Sequence, residues 1–142
     1  MKIIQWLLTI FLLLVLSNHA IAWGGGDVGG MWISEYDVGP VQETMTANIQ
    51  QVEKNILGTF SVVVKDTGEE YSGVIFGTID GDNVKAYYLS VKDSDDENPL
   101  VELTYTDAKL VNEDILRGTA YYQGSNQLEG IPGFEYEAKR LT

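Results

Sequence analysis

The sequence predicts an all-β protein: an eight-stranded antiparallel up-and-down meander closed into a small barrel. Two observations carry this. From Met31 to the end, segments with apolar side chains at every second position alternate with turn residues, and no stretch there has convincing helical spacing. The links between segments are short, so sequence neighbours pair in space and form an antiparallel meander. A flat sheet of eight strands would leave two open edges and an uncovered face, and closure removes both.

The expected strands are Met31–Tyr36, Thr44–Val52, Leu57–Lys65, Tyr71–Ile79, Val84–Val91, Leu100–Thr106, Ile115–Tyr122 and Phe134–Leu141. In the first, Trp32, Ser34 and Tyr36 share one face. The second is the ambiguous one: Met45, Ile49, Val52 and Ile56 would align on a helix, but Met45, Ala47, Ile49 and Gln51 also alternate. Its threonines and Ile49 favour a strand. In the third, Phe60, Val62 and Val64 share a face. Turns are expected at Val38-Gly39-Pro40, Lys54-Asn55, Asp66-Thr67-Gly68, Asp80-Gly81-Asp82-Asn83 and Asn112-Glu113-Asp114. The acidic loop Asp93–Pro99 joins strands five and six, and a longer loop from Gln123 to Gly133 precedes the last strand. In the sixth strand, Val101, Leu103 and Tyr105 form the apolar face, expected to point inward, with Glu102, Thr104 and Thr106 outward. Gly58-Thr59, Gly77-Thr78 and Gly118-Thr119 recur within strands at near-multiples of ~20 residues, about one hairpin, where a small barrel needs sharp coiling.

Residues 1–22 are expected to be a secretory signal peptide. Lys2 is followed by the apolar run Trp6–Leu16 and by a small, polar stretch ending in Ala20-Ile21-Ala22. The run is shorter than the ~20 residues of a spanning helix, which favours a signal over an anchor. The expected location is secreted, periplasmic or cell-surface. Residues 23–30, Trp-Gly-Gly-Gly-Asp-Val-Gly-Gly, read as a Gly-rich flexible leader, and 31–142 as the barrel domain.

The chain of 142 residues has no Cys, 21 acidic and 9 basic side chains, and a formal charge of -12. That length suits one domain with a real core. The charge argues against nucleic acid and against anionic lipid. The only His is His19, so the barrel domain lacks both the usual general base and the commonest metal ligand. No cofactor, metal or catalytic residue is expected. Asp93, Asp95 and Glu97 alternate like calcium ligands, but Asn98 stands where the turn Gly of such a loop belongs and Thr104 where its bidentate Glu belongs, so the loop reads as a solvated hairpin tip. Candidate catalytic carboxylates Glu102, Glu135 and Glu137 look outward by parity. A barrel enzyme using Asp and Glu alone ranks last among the readings.

Gly30-x-Trp32 in the first strand and Arg140 in the last resemble the calycin superfamily of lipocalins, fatty-acid-binding proteins and avidin-like barrels. The resemblance covers these two anchor points and the strand count. It implies that Arg140 lies across Trp32 and closes one barrel end. The chain lacks the C-terminal helix and disulfides of lipocalins and the helix pair of fatty-acid-binding proteins. Trp32 is the only Trp in an expected strand, which argues against biotin. The pairing is also physically plausible, because closure makes the first and last strands neighbours; a guanidinium over an indole is worth roughly 0.5–2 kcal/mol. The alternative is that Lys139 faces in and Arg140 is a solvated end residue.

An eight-stranded interior is filled by side chains or holds one small ligand. The candidate ligand-binding residues are Trp32, Phe60, Tyr88, Leu103, Tyr105, Tyr122, Phe134 and Tyr136, with Val62 also inward. Rings with hydroxyl handles suit a small apolar or amphipathic ligand. The competing readings are that these rings only fill the core, and that the protein is a structural or interaction module of the cell surface.

Overall fold

The computed structural model describes residues 25–92, 100–123 and 133–141. The signal segment, Trp23, the acidic loop Asp93–Pro99 and most of the late loop lie outside the described residues, as do the readings made for them.

Eight strands form one closed barrel in chain order: β1 (Gly30–Val38), β2 (Val41–Val52), β3 (Asn55–Val64), β4 (Glu70–Asp80), β5 (Asn83–Lys92), β6 (Leu100–Asn112), β7 (Ile115–Gln123) and β8 (Phe134–Leu141). Each strand pairs antiparallel with the next, and β8 pairs with β1 through Met31↔Leu141, Trp32↔Arg140, Ile33↔Lys139 and Ser34↔Ala138. No helix occurs among the described residues. The ambiguous second segment is a strand of 12 residues, with Glu43, Ala47 and Ile49 buried on its inner face.

The turns fall within a residue or so of their expected places. Gly81, at φ +62, makes the two-residue hairpin between β4 and β5 that its acidic neighbours announced. The β2–β3 turn sits at Glu53-Lys54, one residue before its expected position, with Glu53 at φ 56. β6 is the largest departure. It runs six residues past Thr106 and carries a register shift between Leu110 and Asn112.

The meander defines two ends. The lower carries the turns at 53–54, 81–82 and 113–114, and the upper those at 39–40 and 65–69. The lower half of the interior is aliphatic around Trp32, with Ile49, Ile56, Ile79, Val84, Leu110 and Leu116. Segment 25–29 is not the flexible leader its glycines suggested. It crosses the lower end from β1 to the β4–β5 turn, where the Gly26 amide donates to the Gly81 carbonyl at 2.9 Å. Val28 is fully buried in the core, and its amide donates to Gln51 Oε1 at 2.9 Å. The glycines let the segment pass close to Leu110 and Gly81, while one apolar side chain anchors it.

Candidate functional site

The lower end is shut by a seal built around Trp32, which is 2% exposed. Its indole Nε1 donates to the Val28 carbonyl at 2.9 Å, so the indole and the crossing segment hold each other. The Arg140 guanidinium lies over the ring, 4.5 Å from its centroid. Arg140 Nη1 donates to the Gly29 carbonyl, Nη2 to that of Asp27 at 2.6 Å, and Nε to that of Glu113 at 2.8 Å. Arg140 therefore faces in, and Lys139 is the exposed neighbour. Ser34 Oγ donates to the Glu137 carbonyl at 2.8 Å and ties the β1–β8 seam one step higher.

Above the seal the interior opens into a hollow bounded by Trp32, Ser34, Met45, Phe60, Tyr71, Tyr88, Tyr122, Phe134 and Tyr136, among others. The hollow spans about 710 Å³ with the solvent space next to it, and room for a water-sized sphere to move is only about 50 Å³ of it. Large rings occupy most of the barrel, and what remains is narrow. Six of the eight expected ligand-facing residues border it: Trp32, Phe60, Tyr88, Tyr122, Phe134 and Tyr136.

Leu103 and Tyr105 do not. The facing of β6 is opposite to expectation: Glu102, Thr106, Ala108 and Leu110 are its buried residues, and Thr104 borders the hollow. Cross-strand partners share a face, and Thr104 pairs with Tyr88 on one side and Tyr122 on the other, both of which point in. Tyr105 instead joins an outer row, tilted against Tyr87 (5.3 Å) and stacked with Tyr121 (6.2 Å), with Phe76 beyond Tyr87 at 5.4 Å. Glu102 is likewise corrected: it is not outward but 7% exposed inside the barrel. Glu135 is exposed and Glu137 half-buried, paired with Arg117 at 2.7 Å.

The upper half of the hollow holds groups not in the expected set. Glu43, on β2, is 6% exposed. The Tyr71 hydroxyl donates to its Oε2 at 2.9 Å, and Tyr36 is its cross-strand partner on β1. Tyr36 stacks on Phe134 at 4.8 Å, and Tyr122 lies against the same ring at 5.5 Å. Burial first, then the Glu43 charge, holds the Tyr36 phenol far above its ordinary range; burial likewise raises Tyr71, which also feels neighbouring phenols and Glu43. Tyr122 is raised by burial and by both Glu43 and Glu102. Deeper in, Tyr136 shares a 2.7 Å hydrogen bond with Thr106 Oγ1 and is pushed up to about 12, mainly by burial. Tyr88 is raised well above 10.0 by burial and by Tyr136. No buried side-chain polar atom among the described residues lacks a partner.

Comparison with protein-family models, with curated proteins and with solved structures returned no match for this chain.

Proposed function

We propose that the protein is an exported, lipocalin-like barrel that binds a small apolar or amphipathic ligand in its interior and performs no catalysis. The observation that carries this reading is the ring-lined hollow above a sealed lower end, which gives a ligand an apolar bed and hydroxyls to orient it. The guanidinium laid over the first-strand indole supports the calycin likeness. The apolar run before Ala22 supports export. The narrow free space limits the guest to a single ring or one alkyl chain.

A second reading has its own observation. The outer row Phe76, Tyr87, Tyr105 and Tyr121 leaves aromatic surface exposed on four adjacent strands, as an interaction module would. One experiment separates the two: titration with an environment-sensitive apolar dye. Binding inside is saturable, is weakened at least tenfold by Ala120→Phe, which fills the hollow, and is untouched by Tyr105→Ser. Loss of binding in Tyr105→Ser alone places the dye on the outer row. Absence of saturable binding defeats the ligand-binding reading and leaves a filled scaffold.

A further inference from the structure

We propose that the outer face of β4, β5 and β6 is the contact between two copies of this chain, joined as an isologous two-fold dimer. The proposal rests on the reading of the outer row as an interaction surface, and it is independent of a ligand in the hollow.

The barrel wall has two unlike sides. On β8, β1 and β2 charged and amide side chains interrupt the outer surface, with Glu35, Asn48, Gln50, Glu135 and Lys139 exposed. In a closed ring of eight strands β5 stands opposite β1, and around it the outward positions are apolar. Two cross-strand rows run side by side there at mid-height: Phe76, Tyr87, Tyr105 and Tyr121, and next to them Val74, Leu89 and Leu103. Leu57 carries the first row onto β3 and is 62% exposed. Neither row holds a charged side chain. The ionic groups next below are Lys85 and Asp107, cross-strand neighbours of opposite sign.

Area and shape both favour a second copy. At up to about 250 Å² for a whole aromatic side chain, the exposed fractions along these rows and at Val91 and Val101 leave on the order of 700 Å² of apolar surface. That is more than the ~300–600 Å² of the largest patch on a typical monomer, and it approaches the ~800 Å² that each partner contributes to a standard interface. Rings stand taller than the aliphatic side chains beside them. A tall row next to a low one is self-complementary: a two-fold axis laid between them, parallel to both, seats the rings of each copy on the Val74–Leu89–Leu103 row of the other. The rings also spend their faces on one another. Phe76 and Tyr87 stack at 5.4 Å and 19°, and Tyr105 and Tyr121 at 6.2 Å and 23°. The row therefore offers edges and hydroxyls, not the flat platform on which a sugar would lie. Charge argues against a basic partner, which would be met through carboxylates that these rows lack. It is no obstacle to self-contact, because two chains of formal charge -12 can meet on this face without setting carboxylate against carboxylate.

The test is the mass of the whole exported chain in solution, by sedimentation velocity up to ~100 μM, where even a micromolar contact is saturated. Twice the chain mass is expected at the upper concentration. Tyr87→Lys, which puts an ammonium in the middle of the patch, should weaken the dimer at least tenfold, while Asn48→Lys on the opposite side should leave it unchanged; circular dichroism shows whether each variant is folded. The wild-type mass stands as a test even where Tyr87→Lys does not fold. A wild-type monomer at the highest concentration overturns the proposal, as does a folded Tyr87→Lys that still dimerises or an equal loss in Asn48→Lys. A monomer whose dye binding is lost in Tyr105→Ser keeps the outer row as a surface for some other partner and overturns the self-contact alone. A monomer that pellets with phosphatidylcholine vesicles assigns the face to a membrane and overturns it likewise. A monomer that does neither removes the interaction reading as well.

Discussion

Arg140 joins three separate pieces of chain with one guanidinium: the crossing segment at Asp27 and Gly29, the β6–β7 turn at Glu113, and the Trp32 ring. Its side chain is 20% exposed, so these contacts are partly shielded from water. Charge-assisted hydrogen bonds and a shielded cation–π contact together suggest a loss of about 2–4 kcal/mol for Arg140→Ala, read by denaturant unfolding. Arg140→Lys should recover less than half, since an ammonium cannot fork between two carbonyls and lie flat on an indole. A change within about 0.5 kcal/mol for Arg140→Ala would place the seal's strength elsewhere. The Trp32–Arg140 pair was legible through the calycin resemblance of Gly30-x-Trp32 and Arg140, and closure brings the ends of β1 and β8 together. Glu43 was not, because nothing local marks a carboxylate in a threonine-rich strand as buried; its hydrogen-bond partner Tyr71 stands on β4.

At the scale of the strand, glycines set how closely neighbours approach. A Cβ at Gly77 would meet the Lys85 carbonyl oxygen at 2.2 Å and the Ala86 Cα at 2.6 Å; at Gly58 it would meet the Asn48 carbonyl oxygen at 2.3 Å. These obstacles are backbone, which cannot rotate aside. Gly77→Ala is therefore expected to cost about 1–3 kcal/mol through overpacking, whereas Thr78→Ala, on the exposed face next door, should be much milder. Equal unfolding midpoints for the two variants would show that the sheet has room to relax. Gly58, Gly77 and Gly118 thus stand where neighbouring strands approach too closely for a Cβ. The facing of β6 departs from the sequence expectation for a definable reason. Ended at Thr106, the strand offers Val101, Leu103 and Tyr105 as its apolar face; extended to Asn112, it adds Ala108 and Leu110 in phase with Thr106, and the aliphatic lower core claims that face.

At the scale of the molecule, the barrel holds five phenols inside: Tyr36, Tyr71, Tyr88, Tyr122 and Tyr136, all raised above 10.0. The sign follows from proton linkage. An unfolded chain gives up these protons near pH 10, while the folded chain keeps them, so stability is full below that pH and declines above it. Each raised phenol removes about 1.4 kcal/mol per pH unit between its unfolded and folded values. Several acting together should unfold a domain of ordinary stability between about pH 11 and 12. Phenolate absorbance and loss of the β-sheet circular dichroism signal should then rise in one cooperative step. Ionisation of all eight tyrosines with the sheet signal intact would contradict the buried placement of these five.

Strand number, strand order and turn positions follow from the sequence, because alternation of side chains and the stereochemistry of Gly, Asn and Asp are local properties. So does the pairing of β1 with β8, since eight short-linked strands have few other ways to cover their edges. Which residues meet inside was settled only by the closed structure. A barrel closes when all eight ladders agree on register, so the facing of any one strand is imposed by its partners, as Tyr88 and Tyr122 impose it on Thr104. For the same reason the return of Val28 to the core, and the meeting of Tyr71 on β4 with Glu43 on β2, depend on distances that no single segment encodes.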